Sequence, residues 1–519
     1  MKKMVALFLS LLMLMSLITL PAVAEGGVSL KGWGAYAFDA TTGIESYKDQ
    51  TFWKEVEKKF NADITWEIAS TASDAHIAQF GLIMASGELP DFFANYNRLL
   101  SVEEYGRMGA IMDITPLLDG GFMPNLSAIL AEFPDVRASI TSADGAIYII
   151  PRVMIDFETR AWPGFNIRGD VLEELGLQVP TTTDELYDVL TALKGYEGVT
   201  YPFAGDYRTL FYPFGIATIA IGNNSNADVF VEDGEIKFAP YDARYLDALT
   251  YLNKLASEGL MMQVPVKTYP GQADQTTDIL TGAVMATNGS FAGVLDKING
   301  LFEAQDGKRP LVAMDYFEGP AGAKGNSSVH RAIDANWGAS ISSTCSNPEL
   351  AAQILDFALG KEGSDILFYG IEGEDYTRDA NGEIVVAEKI SSSPLGVLTY
   401  KNNFIGNYSC LASAYTAEAY LSTMSAEARR GNAMATETTK NDPAIVPMLR
   451  FTAEEIATVN EICLDLNVYV EENMANFIFG QKNLSEWDAY VKEFDAMRVD
   501  ELLLIFNAAY ARFLEAAAQ

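Results

Sequence analysis

Residues 46–70 read "SYKDQTFWKEVEKKFNADITWEIAS", and two periodicities in them decide the fold class. Phe52, Val56 and Phe60 recur every four residues, which puts them on one face of a helix. Asn61 stands at the stop. Ile64, Trp66 and Ile68 then alternate, as a half-buried strand does. The same order repeats directly downstream. A helix is expected from about 75 to 86, with Ile77, Phe80 and Met84 on one side. "GELPDFFANYN" (87–97) then gives a turn, a short apolar strand from Asp91 and polar residues at its end. Strands alternating with helices imply an α/β fold with a parallel sheet.

Further on, "DGAIYIIPRV" (144–153) is a tight turn into a strand that Pro151 is expected to interrupt. "VPTTTDELYDVLTALKG" (179–195) starts a helix. Thr182 caps it and Glu185 completes a capping box, Leu186, Val189, Leu190 and Leu193 form its apolar face, and Gly195 ends it. "FYPFGIATIAIGNNSNADVFVEDGEIKF" (211–238) reads as a hairpin or loop region that turns at Asp233-Gly234. "NPELAAQILDFALGKEG" (347–363) is a helix capped by Asn347 with Pro348 at its first position. From Phe451 onward the chain reads as mostly helical. Neither an internal repeat nor a low-complexity linker is evident. Domains without linkers imply that the chain crosses between them more than once.

Residues 1–24 read as a secretory leader. Lys2 and Lys3 precede an apolar run from Val5 to Leu20, and Ala22-Val23-Ala24 is a small-x-small site that predicts cleavage before Glu25. The apolar run is too short for a stable span. The first cysteine is Cys345, so lipid attachment at the mature start is not expected. The 519 residues carry a formal charge of −34. This excludes non-specific nucleic-acid binding and disfavours anionic membrane surfaces. A hydrophobic content of 49% with 11% aromatics excludes general disorder. Cys345, Cys410 and Cys463 show no CxxC spacing and read as buried, inert thiols. His76 and His330 are the two histidines, which leaves no His-rich metal site and disfavours a Ser-His-Asp triad.

Taken together, "SGELPDFF", "MGAIMDITPLLD", "DGAIYIIP", "NIRGDVLEELGLQVPTTTDELYDVLTALK", "GAVMATNGSFAGVL", "SNPELAAQILDFALGKEG", "YGIEGEDY" and "FIFGQKNLSEWDAYVKEFDAMRVDELL" give the chain a resemblance. It resembles family 1 of the extracellular solute-binding proteins, the sugar receptors of bacterial ABC importers, and within it the long Gram-positive lipoprotein-type branch. The resemblance implies an α/β, two-lobed periplasmic-binding-protein-like (class II) fold with hinge strands, a ligand cleft and a helical C-terminal region. By similarity, residues 25–152 and 315–375 form lobe one, and 153–314 and 376–519 form lobe two. It further implies a monomer whose lobes close by hinge rotation and are then read by the transmembrane subunits of a permease. The chain departs from the branch in two ways. It lacks the lipid-bearing cysteine. It also has only "GYEGVTYPFAGDYR" (195–208) where relatives carry an oxygen-rich calcium loop, so no calcium or other cofactor is expected. "DANGEI" (379–384) reads as a plain turn.

A sugar is held by aromatic platforms and convergent polar groups in a concave cleft. Trp33 and Tyr36 follow the first strand, and Asn95 and Tyr96 end the "DFFANYN" strand. Trp162 and Arg168 lie past the first crossing. Phe291 sits in "NGSFAG", and Asn336 and Trp337 precede the "SNPELA" helix. These nine are the candidate ligand residues. Trp33 and Phe291 have core packing as their alternative, and Arg168 has pairing with Asp170 or Glu173. Trp162 and Trp337 fall outside periodic patterns, whereas Trp53, Trp66 and Trp487 fall on apolar faces and read as core. A non-enzymatic carbohydrate receptor is the expected function. The alternatives are a secreted carbohydrate-active enzyme with paired carboxylates and an oligopeptide receptor.

Overall fold

The computed structural model describes residues 27–35, 38, 41–69, 73–94, 99–161, 164–216, 228–263, 272–325, 332–406, 412–440 and 446–518. The opening stretch folds as its periodicity predicts. Helix Thr51–Phe60 buries Phe52, Trp53 and Val56, and Asn61 stops it in the left-handed conformation at φ 47°. A short polar side chain tolerates that conformation. Strand Ala62–Ala69 follows, and Trp66 lays its indole edge-on against Trp53 at 4.5 Å.

In chain order the strands are β1 Val28–Ala35, β2 Ala62–Ala69, β3 Phe92–Phe93, β4 Ile150–Met154, β5 Gly164–Arg168, β6 Tyr201–Phe203 and β7 Val229–Glu232. They continue with β8 Glu235–Phe238, β9 Val284–Gly289, β10 Leu311–Met314, β11 Ile333–Ile341, β12 Tyr376–Arg378, β13 Ile384–Val386 and β14 Ser413–Tyr415. Two sheets organise the molecule. One has the order β14-β4-β11-β3-β1-β2 and the other β10-β5-β9-β6. In the larger sheet β1, β2 and β3 are parallel, β4 and β14 are parallel, and β11 runs against both β3 and β4. In the smaller, β6 and β9 are parallel and β5 runs against β9 and β10. The hairpin β7–β8 turns at Asp233-Gly234, with φ 54° and 79°, the paired positive values of a type I′ turn.

The C-terminal stretch is mostly helical from Ala453, as expected. Helix Ala453–Ile478 packs on helix Ala243–Ser257, beside the small sheet, and helix Val499–Ala517 packs on both β8 and helix Pro134–Ile140. Asn507 fixes the latter by bonding the backbone N–H and C=O of Ile236.

Four expectations are corrected in detail. Pro151 does not interrupt its strand. Its partner Gly338 lies at an irregularity of β11 between Asp334 and Gly338, so the missing donor falls where the ladder is already broken. Thr182 does cap its helix, but the Glu185 carboxylate turns to the N–H and hydroxyl of Thr181 instead of closing a box on Thr182. Trp337 lies inside β11, not outside regular structure. The range 376–519, expected in the second lobe, contains β14, which pairs with β4 in the larger sheet.

Candidate functional site

Strand direction locates the site. The chain leaves the larger sheet from the end of β4 and enters the smaller at the start of β5. It leaves the smaller from the end of β10 and returns at the start of β11. The residues at that edge of the larger sheet are therefore the carboxyl ends of β1, β3, β4 and β14. In the smaller sheet they are the carboxyl ends of β6, β9 and β10. Both sheets thus turn their carboxyl edges toward the crossing segments. The crevice outside carboxyl strand ends is where open α/β sheets bind ligands.

The crossings are tied at specific atoms. Asp156 accepts the N–H of Ala417 at 2.7 Å, Arg160 donates twice to the Met154 carbonyl, and Asn432 donates to the Glu158 carbonyl. On the return crossing, Asp315 accepts from Lys324 at 2.7 Å and from Thr438 at 3.1 Å. At the carboxyl end of β9, the Asn288 amide bonds the backbone N–H and C=O of Asp206 and the hydroxyl of Thr209. Burial pushes the Asp206 carboxyl up. A cavity of about 460 Å³ opens beside the return crossing, between helix Ala243–Ser257 and Pro320-Ala321, with Phe214 and Tyr251 in its wall.

Of the nine candidates, Tyr36, Asn95, Tyr96 and Trp162 lie outside the described residues, as do His330 and Cys410. Asn336 lies in β11, and nothing is described of its side chain. Trp337 is half-buried on the same strand. It stands in the irregular stretch between Asp334 and Gly338, past the end of β3, whose Phe93 faces Ser340. A bulge beside a sheet edge re-aims a side chain in this way.

Three candidates are placed in packing instead. Trp33 is 0% exposed and sits against Phe80 and Phe93 in a small core cluster. Its neighbours Gly32 and Gly34 leave the opposite face of β1 bare, so the rings of Trp66 and Tyr47 lie directly on the backbone. Phe291 is 1% exposed. A Cβ on Gly164 would lie 1.9 Å from its ring, and one on Gly431 2.7 Å. It wedges β5 against helix Ala426–Thr439 and has no free face for a sugar. Arg168 ends β5, which runs opposite to β9 and β10, so it lies on the edge away from the crevice. There it forks onto Asp170 at 2.8 and 2.7 Å and stacks on Phe302.

The sequence reading missed two buried charge clusters. In one, Arg208 faces Asp206, Asp228 and Glu471. Burial beside Glu471 pushes Asp228 up to about 7, against the pull of Arg208. In the other, Glu103 of helix Leu99–Arg107 accepts from Arg107 at 2.7 Å and from Arg450 at 3.0 Å. The Glu103–Arg107 spacing of four residues was a visible signal. The Arg450 contact, made across 347 positions, had none.

Segment 195–208 carries no oxygen-rich loop. Gly195 closes the preceding helix, and the Asp206 carboxylate accepts from the N–H of Arg208 in its own turn. Among the described residues no three His, Cys, Asp or Glu side chains are grouped to hold a metal. No described helix is long and apolar enough to cross a membrane. Burial pushes the Cys345 and Cys463 thiols up to about 12, which makes them poor nucleophiles.

The fructooligosaccharide ABC transporter substrate-binding protein FusA of Streptococcus pneumoniae serotype 4 is 25% identical over 89% of this chain and 86% of its own. The polygalacturonan/rhamnogalacturonan-binding protein YtcQ of Bacillus subtilis is 25% identical over 63% of each. A crystal structure of the alginate-binding protein AlgQ2 without calcium ion superposes with a TM-score of 0.76 at 22% identity, covering 94% of this chain and 98% of that one. Its fold is that of a two-domain periplasmic solute-binding protein. The model of the bacterial extracellular solute-binding proteins matches residues 44–365, more than half of the sequence, and the chain belongs to that family.

Proposed function

We propose that the chain is an extracytoplasmic receptor. It captures an oligosaccharide between the two carboxyl edges and presents it to the transmembrane subunits of an ABC-type permease. The observation that carries this reading is the direction of the strands: each sheet offers its carboxyl edge to the same crossing segments. Family membership supports a binder over a catalyst. FusA, YtcQ and AlgQ2 are named for different glycans, neutral in one case and acidic in others, so carbohydrate is their shared denominator. The larger sheet and its helices form one lobe, and the smaller sheet with most of the C-terminal helices forms the other. Residues 1–24 act as an export leader, and the receptor works as a monomer. Trp337, half-buried at its bulge, serves as an aromatic platform.

Titration calorimetry and small-angle scattering with a panel of oligosaccharides test the reading. Binding with a smaller radius of gyration and intact glycans is expected. Fragmented glycans, or binding of peptides in their place, would overturn it. Trp337→Ala weakens binding about tenfold or more while the fold holds, the order found on truncating aromatic anchors. Trp33→Ala is the contrast, because it removes core volume and lowers stability by about 3–5 kcal/mol.

A further inference from the structure

Asp206 stands just past the end of β6, on the carboxyl edge that the smaller sheet turns toward the crossings. Its backbone is pinned. The Asn288 amide accepts its N–H at 2.9 Å and donates to its C=O at 2.9 Å, and the Thr209 hydroxyl donates to the same C=O at 2.7 Å. Gly205 lets the chain come this close, because a Cβ there would lie 2.2 Å from the Asn288 Oδ1. The side chain is held at one atom only, where Oδ1 accepts the N–H of Arg208 at 3.0 Å. Oδ2 meets no donor among the described residues. The Arg208 guanidinium reaches Glu471 at 3.2 Å instead. Asp206 is half-buried, not sealed, so a solute in the crevice has access to it.

A carboxylate oxygen has lone pairs for hydroxyl donors and bonds them more strongly than a neutral acceptor does. Sugars carry such donors around the ring. The Asp206 turn is fixed before any ligand arrives, so little ordering is left for binding to impose. Charge points to the kind of sugar. The described parts of the two crossings hold Asp156, Glu158, Asp315 and Glu318 against Arg160 and Lys324. Both cations are engaged within the chain, Arg160 with the Met154 carbonyl and Lys324 with Asp315. Asp206 adds a further acid, in a chain of formal charge −34. A polyanion entering there meets like charge.

We propose that Oδ2 of Asp206 accepts a hydroxyl of one sugar unit, and that the receptor takes a neutral oligosaccharide in preference to a polyuronate. This rests on the oligosaccharide-receptor reading and gives it a ligand residue and a substrate class. An oxygen that holds only water is the competing state.

The test titrates the full-length protein calorimetrically with neutral oligosaccharides and with uronate-bearing ones of the same lengths. At least one neutral member binds, and the uronate series binds at least roughly tenfold more weakly. Monodeoxy forms of the bound glycan then remove its hydroxyls one at a time. One of them binds roughly 10- to 100-fold more weakly, the scale of a hydrogen bond to a charged group. Asp206→Asn keeps the cap on Arg208, since asparagine caps as well as aspartate, and weakens the intact glycan by a similar factor. The variant no longer distinguishes that deoxy form from the intact glycan, the non-additivity of groups in contact. The deoxy series on the parent needs no variant, and if no deoxy form loses affinity the proposal falls. It also falls if Asp206→Asn binds the intact glycan like the parent, or if only uronate members bind; the receptor reading stands in each of these cases. If no glycan of either series binds, the receptor reading falls with it.

Discussion

Arg208, half-buried, and Arg450, buried, both meet acids across long stretches of chain, yet their surroundings are opposite. Arg208 has three acids around it, Asp206, Asp228 and Glu471. Arg450 shares its one acid, Glu103, with a second arginine. Excess acid has an internal remedy. A buried carboxyl can take up a proton, and Asp228 is pushed up to about 7. Excess guanidinium has no such remedy, because it does not release its proton in the working range. The Arg208 cluster therefore carries acids in excess of its cation, whereas in the Arg450 cluster two guanidiniums share one carboxylate.

Four substitutions break or sharpen the contrast. Arg208→Met removes the cation that Asp206, Glu471 and the buried Asp228 face, and chemical denaturation should show a loss of about 2–4 kcal/mol, towards the range of broken buried pairs. A loss below 1 kcal/mol would mean that Arg208 does not hold the cluster together. Glu103→Gln leaves Arg107 and Arg450 without their common carboxylate and costs about 2–3 kcal/mol. Asp228→Asn acts through pH. The native carboxyl holds its proton up to about 7, whereas the unfolded one releases it near its ordinary 3.8. The parent therefore binds more protons when folded, and its stability falls as pH rises from about 4 to about 7. The variant should lack that fall and gain roughly 1–3 kcal/mol over the parent above pH 7. Equal pH profiles would place the charge elsewhere. Arg168→Ala is the smallest. It removes a partly exposed fork on the edge away from the crevice, so stability drops by about 0.5–1 kcal/mol and ligand affinity does not move.

How far the sequence carried depended on the range of the signal. Local patterns were read well. The helix-to-strand step at Asn61, the Asn347 cap and the Asp233-Gly234 turn are all present, because each is settled by neighbours a few residues apart. Strand direction was not legible, and it decides at which edge of its sheet a candidate lies. Arg168 and Trp337 both lie on strands, but Arg168 ends β5 on the far edge while Trp337 stands mid-strand in the irregular stretch of β11. Phe291 went to packing because Gly164 and Gly431 leave room for a large ring against backbone, and Trp33 because Phe80 and Phe93 cover it; periodicity does not reveal which aromatic will fill such a gap. The two buried clusters were illegible for a simpler reason. Arg450 meets Glu103 across 347 residues and Arg208 meets Glu471 across the C-terminal helices, and no local spacing encodes either meeting.

The place of β11 between β3 and β4 governs the order in which the molecule comes together. All four strands of the smaller sheet lie within residues 164–314, so that sheet has every partner it needs once this stretch is available. The larger sheet begins at residue 28 but lacks its middle strand until residue 341 and an edge strand until residue 415. Pairings over such separations pay loop-closure entropy before any contact rewards them, and they form slowly. The body that starts first therefore finishes last. In refolding followed by pulsed hydrogen exchange, amides of β5 and β9 become protected before those of β4, and a chain emerging from its N-terminus keeps β4 without a partner strand until β11 has followed.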